Sequence, residues 1–212
     1  ASADRFALAQ YSATTLPTVP TGLTAANSAL TANGVDLYWG GSSGSWAIKG
    51  YNVYRDGNWI ATADGTSFTD SGRSSGSYYS YRVSAFDEVG HVTAQSSPAG
   101  VLVTSDTAAP SVPMNLSAEV SFLPPQVSLT WGAASDNRAV VGYRLYRNSA
   151  SIKETGRYET TYVDTFISAG NTYSYAVVAF DAWGNLSPRS TSTIAAVIID
   201  GKIHLFYRAL GH

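Results

Sequence analysis

Residues able to do chemistry are sparse in this chain and poorly grouped. The three histidines are His91, His204 and His212. His91 falls in a turn after Phe86-Asp87, and the other two close the chain, so a Ser-His-Asp relay would have to be assembled across separate domains. The sequence contains no Gly-x-Ser-x-Gly elbow, no His-Glu-x-x-His pair and no phosphate-cradling glycine loop ahead of a helix. Asp87-Glu88 is the only adjacent pair of carboxylates, and it could in principle serve acid-base work or hold a cation. Asp181 lies in a turn of matching sequence, however, and aspartate in such turns accepts hydrogen bonds from its own backbone. Asp136 and Asn137 read the same way in the loop before Tyr143. With no cysteine, disulfides and thiolate metal sites are both excluded. These residues lead to an expectation of no catalytic group, no metal and no cofactor.

Aromatic side chains are the better candidates for binding. They make up 12% of the chain, more than two small cores need, and flat rings stack on sugars or on protein surfaces. Trp46, Trp59 and Trp183 fall in predicted loops and are the candidate ligand-binding residues. In the internal repeat described next, Trp46 aligns with Arg138 and Trp183 with Val89, so neither belongs to a shared core pattern. The competing reading is that each is a lid packed on the end of its own domain. Tyr38, Tyr54 and Tyr146 should point away from the core, as ordinary cross-strand partners do.

The elements that must position these residues are strands. Charged residues are only 13% of the chain, and Gly, Ser, Thr, Ala and Tyr dominate, which suits short strands joined by small polar turns. The chain also repeats itself. Val35-Asp36-Leu37-Tyr38-Trp39 lies over Val127-Ser128-Leu129-Thr130-Trp131, and Gly50-Tyr51-Asn52-Val53-Tyr54-Arg55 over Gly142-Tyr143-Arg144-Leu145-Tyr146-Arg147, both displaced by 92 positions. Thr69-Asp70 and Tyr79-Ser80-Tyr81-Arg82-Val83-Ser84-Ala85-Phe86-Asp87 match Val163-Asp164 and Tyr173-Ser174-Tyr175-Ala176-Val177-Val178-Ala179-Phe180-Asp181 at a displacement of 94. Two residues therefore enter the second copy before Asp164. Within the copies, hydrophobic and polar residues alternate with period two, the mark of half-buried antiparallel strands. Tyr79, Tyr81, Val83 and Ala85 share the face that must be buried.

These motifs resemble the fibronectin type III family: a proline before the first strand, Leu-x-Trp in the second, Gly-Tyr-x-Val-Tyr-Arg in the third, and Tyr-x-Tyr-x-Val-x-Ala-Phe-Asp-x-x-Gly near the end. The resemblance covers nearly all of both copies. It implies an all-β chain of two tandem immunoglobulin-like antiparallel sandwiches, with Trp39 and Trp131 packed between their sheets and Tyr79 and Tyr173 at the tyrosine-corner position. Ile167 fits the usual apolar neighbour of that corner, where the first copy has Arg73. The expected organisation is an N-terminal segment over 1–16, a first domain over 17–105, a linker over 106–112, a second domain over 113–199 and a tail over 200–212. Asp200-Gly201 between apolar runs predicts a hairpin that adds an extra C-terminal strand, the alternative being an interaction strand for a partner or the beginning of a further domain. The Ala-Phe-Asp-x-x-Gly ending resembles versions appended to bacterial extracellular hydrolases and surface proteins. No Arg-Gly-Asp occurs; the turn reads Arg55-Asp56-Gly57.

Composition narrows the partners. A net charge of −2, with 13 basic residues scattered singly, offers no patch for nucleic acid. The longest apolar run, Ile194 to Ile199, falls far short of the roughly 20 residues that span a bilayer, so membrane insertion is not expected. The Ala1-Ser2-Ala3 start suits a mature or recombinant fragment without its targeting signal. Asn115-Leu116-Ser117 and Asn185-Leu186-Ser187 match the glycosylation pattern, although Asn115 opens a strand and Pro188 follows Ser187. The resemblance implies a non-catalytic spacer of a secreted or cell-surface protein whose partners are neighbouring domains. The alternative is a polysaccharide- or protein-binding module that uses the loop aromatics.

Overall fold

A computed structural model describes residues 14–122 and 124–197. The chain divides into two compact units, Ala1–Ser105 and Asp106–His212. No helix occurs among the described residues. The first unit runs β1 (Thr24–Asn27), β2 (Val35–Tyr38), β3 (Ile48–Arg55), β4 (Asn58–Ala63), β5 (Ser67–Asp70), β6 (Tyr78–Asp87) and β7 (Ala99–Leu102). Its two sheets have the orders β1-β2-β5 and β4-β3-β6-β7. The second unit repeats this with β8 (Ser117–Phe122), β9 (Pro125–Thr130), β10 (Val140–Arg147), β11 (Ala150–Gly156), β12 (Thr161–Asp164), β13 (Asn171–Asp181) and β14 (Thr193–Val197). Its sheets run β8-β9-β12 and β11-β10-β13-β14. All pairings are antiparallel.

Alternation along each strand decides what is buried. Val35 and Leu37 of β2, Tyr51 and Val53 of β3 and Tyr81, Val83 and Ala85 of β6 meet Trp39 in the core of the first unit. Their counterparts Val127, Leu129, Tyr143, Leu145, Tyr175, Val177 and Ala179 meet Trp131 in the second. The two Trp rings stand edge-on to Tyr51 and Tyr143, with centroids 5.5 Å and 5.7 Å apart.

The shared Gly-Tyr and Ala-Phe-Asp motifs turn out to be two halves of one contact. Gly50 is paired with Phe86 across β3 and β6, and Gly142 with Phe180 across β10 and β13. A Cβ on Gly142 would lie 2.4 Å from the carbonyl oxygen of Thr155 and 2.7 Å from the Phe180 ring. Such overlap forces backbone and ring apart, so Gly142→Ala should destabilise the second unit by about 1–3 kcal/mol. Chemical denaturation monitored by Trp fluorescence measures this, and a change within about 0.5 kcal/mol would show that the ring simply rotates aside.

The two-residue insertion enters between β11 and β12. Tyr143 pairs with Thr155 as Tyr51 does with Ala63, a displacement of 92, whereas β12 begins 94 positions after β5. Glu159 organises the enlarged turn: its Oε2 accepts from Gly156 N at 2.8 Å, and its carbonyl accepts from the buried Thr155 hydroxyl at 3.2 Å.

Two expectations meet a different arrangement. Segment 106–112, expected as a linker, is tied to the second unit, because Asn137 Nδ2 donates to Asp106 Oδ1 at 3.2 Å and Ser111 N to Ser135 O at 2.8 Å. Trp59, expected in a loop, lies inside β4, because the two-residue turn Asp56-Gly57 returns the chain to pairing at Asn58. Both turn residues have positive φ, 49° and 83°, the conformation this tight hairpin requires. The expected strand at 200–212 and residues 1–13 of the N-terminal segment lie outside the described residues.

Candidate functional site

Trp59 is the most exposed tryptophan, at 60%, and register explains why. It pairs with Tyr54 of β3, which in turn pairs with Arg82 of β6, so all three stand on the outward face of the four-stranded sheet. Beside them Tyr54 Oη lies 3.4 Å from Ser84 Oγ, and Thr62 donates to Asn52 Oδ1 at 3.4 Å. A flat ring flanked by a guanidinium and short polar groups can stack on an apolar face of a ligand while bonding to its hydroxyls. The second unit fills the equivalent place internally: Arg189 lies 4.0 Å from the Tyr146 ring.

Trp46 and Trp183 do not join Trp59. Trp46 is 38% exposed in the loop before β3. Trp183 is half-buried in the turn after β13, and its ring is covered by Arg138 at 4.7 Å. The position aligned with Arg138 is Trp46, and that aligned with Trp183 is Val89, so each unit ends its sandwich with a different pair of side chains. Trp183 therefore packs on its own unit, as the lid reading requires.

The two equivalent turns use their aspartates on the backbone. Asp87 Oδ1 accepts from Val89 N and His91 N at 3.1 Å and 2.8 Å, and Asp181 Oδ1 from Trp183 N and Asn185 N at 2.9 Å and 2.8 Å. Burial opposes ionisation of Asp87, but bonds from His91 outweigh it and hold the carboxyl below its usual range. Asn185 Nδ2 donates to Asp181 Oδ2 and to Asp106 O at 2.7 Å and 3.1 Å, and buried Ser187 accepts from Ala179 N. Asn185 and Ser187 are thus spent on packing, which argues against glycan attachment there. Asn115 has a φ of 56°, matching Gly22 at 63°.

Sequence reasoning missed a buried polar network present in both units. Asp70 and Asp164, at the ends of β5 and β12, accept hydroxyl bonds from Tyr81 and Tyr175, each at 2.8 Å. Arg55 Nη1 reaches Asp70 Oδ2 at 2.6 Å, and Arg147 Nη1 reaches Asp164 Oδ2 at 2.7 Å. Burial first, then the bond to the aspartate, pushes both Tyr hydroxyls up, so they remain donors. The available signal was recurrence: Arg, Asp and Tyr each occupy the same place in both copies. Next to this network Tyr79 and Tyr173 accept from Ser74 N and Ser168 N, five residues upstream, at 3.2 Å and 2.9 Å. Ile167 packs beside the second corner. At the first, Arg73 lies 5.8 Å from the Tyr79 ring and 3.4 Å from Asp70, so a cation takes over from the apolar neighbour.

No protein-family model matches the chain. Among curated relatives, exoglucanase B of Cellulomonas fimi is 38% identical over a match covering 84% of this chain and 16% of that protein. Chitinase A1 of Niallia circulans is 35% identical, covering 84% of this chain and 26% of that one. A solved Fn3-like protein from Clostridium thermocellum is 30% identical, covering 44% of this chain and 98% of that chain at a TM-score of 0.35. The chain belongs to the fibronectin type III family. Three strands against four, a tyrosine corner in each unit and a Trp between the sheets are what that family requires. The fibronectin type III tandem spans about a sixth of exoglucanase B and about a quarter of chitinase A1, so it corresponds to a module of much longer enzymes.

Proposed function

We propose that this fibronectin type III tandem is a non-catalytic accessory module of a secreted bacterial polysaccharide hydrolase, spacing and orienting the domains on either side of it. The observation that carries this reading is the asymmetry of coverage: the match takes up most of this chain and a small fraction of each glycosidase. The use of the ionisable groups agrees with it. The buried Asp70, Asp87 and Asp164 are all bound to groups of their own unit.

The second reading, glycan binding, is favoured by the outward-facing Trp59-Tyr54-Arg82 row, in which Trp59 is exposed and the other two are half-buried. One experiment separates the two. The purified chain is incubated with insoluble chitin and cellulose, and both the protein left in solution and the reducing sugar released are measured. The spacer reading expects the protein to stay in solution and sugar to stay at background. Depletion that is lost in Trp59→Ala would replace it with the binding reading. Sugar release by the wild type would overturn both.

A further inference from the structure

The loops that open and close the sheets of the second unit bring three carboxylates together, of which Asp181 has the turn role that Asp87 has in the first unit. One oxygen from each of Asp106, Asp136 and Asp181 lies within 4.8 Å of the others. Proximity of acids is not enough, since solvated acidic groups are common. What sets this group apart is that two of its oxygens are sealed from water and receive no hydrogen bond: Oδ2 of Asp106 and Oδ1 of Asp136. The Asp106 side chain is only 4% exposed. A buried carboxylate oxygen without a hydrogen bond is costly, and of the two only Asp106 Oδ2 has, among the described residues, a cation near it, Arg138 Nε at 3.6 Å, so the pair asks for a further one.

The remaining oxygens are accounted for. Asp106 Oδ1 accepts from Ala108 N and Asn137 Nδ2, Asp136 Oδ2 from Arg138 N, and both Asp181 oxygens receive donors from its turn. Arg138 forms an ion pair with Asp106, its Nε 3.6 Å from Oδ2, and its guanidinium lies over the Trp183 ring. One guanidinium against three carboxylates leaves excess negative charge.

The first unit serves as an internal control. It builds the same turn around Asp87, whose Oδ2 is taken by His91 Nδ1 at 2.8 Å. There the positions aligned with Asp136 and Arg138 are Gly44 and Trp46. The sandwich therefore keeps the turn aspartate but folds without an acid at the Asp136 position, so the convergence of carboxylates in the second unit calls for its own explanation.

We propose that Asp106, Asp136 and Asp181 form a calcium site. Only oxygen donors are offered, which excludes the soft-metal chemistry of thiolate and imidazole sets. Calcium accepts six to eight oxygens in flexible geometry, so water can complete the shell of three side chains on loops. Modules outside the cell bind it with dissociation constants of about 10⁻⁴–10⁻³ M. This departs from the sequence expectation of no metal and is independent of the accessory-module reading.

The test uses the full chain stripped of metal. Calcium chloride at about 10 mM should raise the melting temperature of the second unit by about 5 °C over sodium chloride of equal ionic strength, leaving the first unit unmoved. Asp136→Asn keeps an acceptor for Arg138 N and should abolish the shift. Terbium gives a direct readout, because Trp183 belongs to the turn of Asp181, its backbone N–H donating to Oδ1 at 2.9 Å. Its emission, excited through tryptophan, should be displaced by calcium in the wild type and lost in Asp136→Asn. No melting shift, a shift shared by both units, or terbium emission that calcium does not displace overturns the site. Should Asp136→Asn fail to fold, Trp183→Phe replaces it: loss of terbium emission with the calcium shift retained supports the site, and retained emission overturns it.

Discussion

Trp131→Ala is expected to destabilise the second fibronectin type III domain by about 3–5 kcal/mol, with the first changing by less than about 0.5 kcal/mol. Trp131 is 5% exposed, and its ring fills the space between the two sheets against the edge of Tyr143. Tyr143 is itself held in place because its hydroxyl accepts from Ala134 N at 3.0 Å, so the cavity cannot close by swinging that ring inward. The Trp131 indole N–H is buried without a partner. Trp131→Phe, which keeps a ring and removes that N–H, should therefore cost well under half as much as the alanine. Scanning calorimetry, with one transition for each domain, measures both variants. Movement of both transitions in Trp131→Ala would mean that the domains do not unfold independently.

Asp164→Ala is expected to cost the same domain about 3–5 kcal/mol by a different route, since it leaves the buried Tyr175 hydroxyl without an acceptor and the half-buried Arg147 without its counter-charge. Arg147 Nη1 contacts both Asp164 oxygens, at 3.0 Å and 2.7 Å, as well as the Phe166 carbonyl at 2.6 Å. Burial alone would favour loss of the Arg147 proton, and the bond to Asp164 outweighs it. Removing the charge with its partner should help: Asp164→Ala with Arg147→Met should recover a substantial part of the loss, because an apolar replacement of a buried pair is often nearly neutral. Denaturant unfolding of the single and double variants gives the coupling between them. If the double variant is as unstable as the sum of the two singles, the network is not an ion pair in energetic terms and its value is only packing.

The candidate sites were partly legible for reasons that can be traced. Trp59 was found, but it was placed in a loop although Asp56-Gly57 is a two-residue hairpin signal; given that turn, its pairing with Tyr54 follows. Asp136 was read as loop chemistry, which its bond from Arg138 N supports. That Asp106, in a proline-bearing segment, folds onto the same loops could not be seen, because 30 positions separate the two residues. Trp183 is a candidate in the sequence and Arg138 only the residue aligned with Trp46, and nothing in a one-dimensional alignment says that a guanidinium in one loop covers an indole in another.

By itself the sequence determined whatever depends on local pattern and on recurrence. Alternation with period two decides which face of each strand leaves water. A doubled set of motifs decides that the chain folds one unit twice, and the resemblance of those motifs to the fibronectin type III family implies a sandwich with Trp39 and Trp131 inside and Tyr79 and Tyr173 at the corners. Tertiary structure alone decided which polar groups converge: Arg55 with Asp70 and Tyr81, Arg147 with Asp164 and Tyr175, and the three aspartates of the second domain. The reason is physical. Burial of apolar side chains is non-directional and needs only the right face, whereas a hydrogen bond or an ion site needs particular atoms within about 3 Å of one another. Those distances are set by strands and loops far apart in the chain.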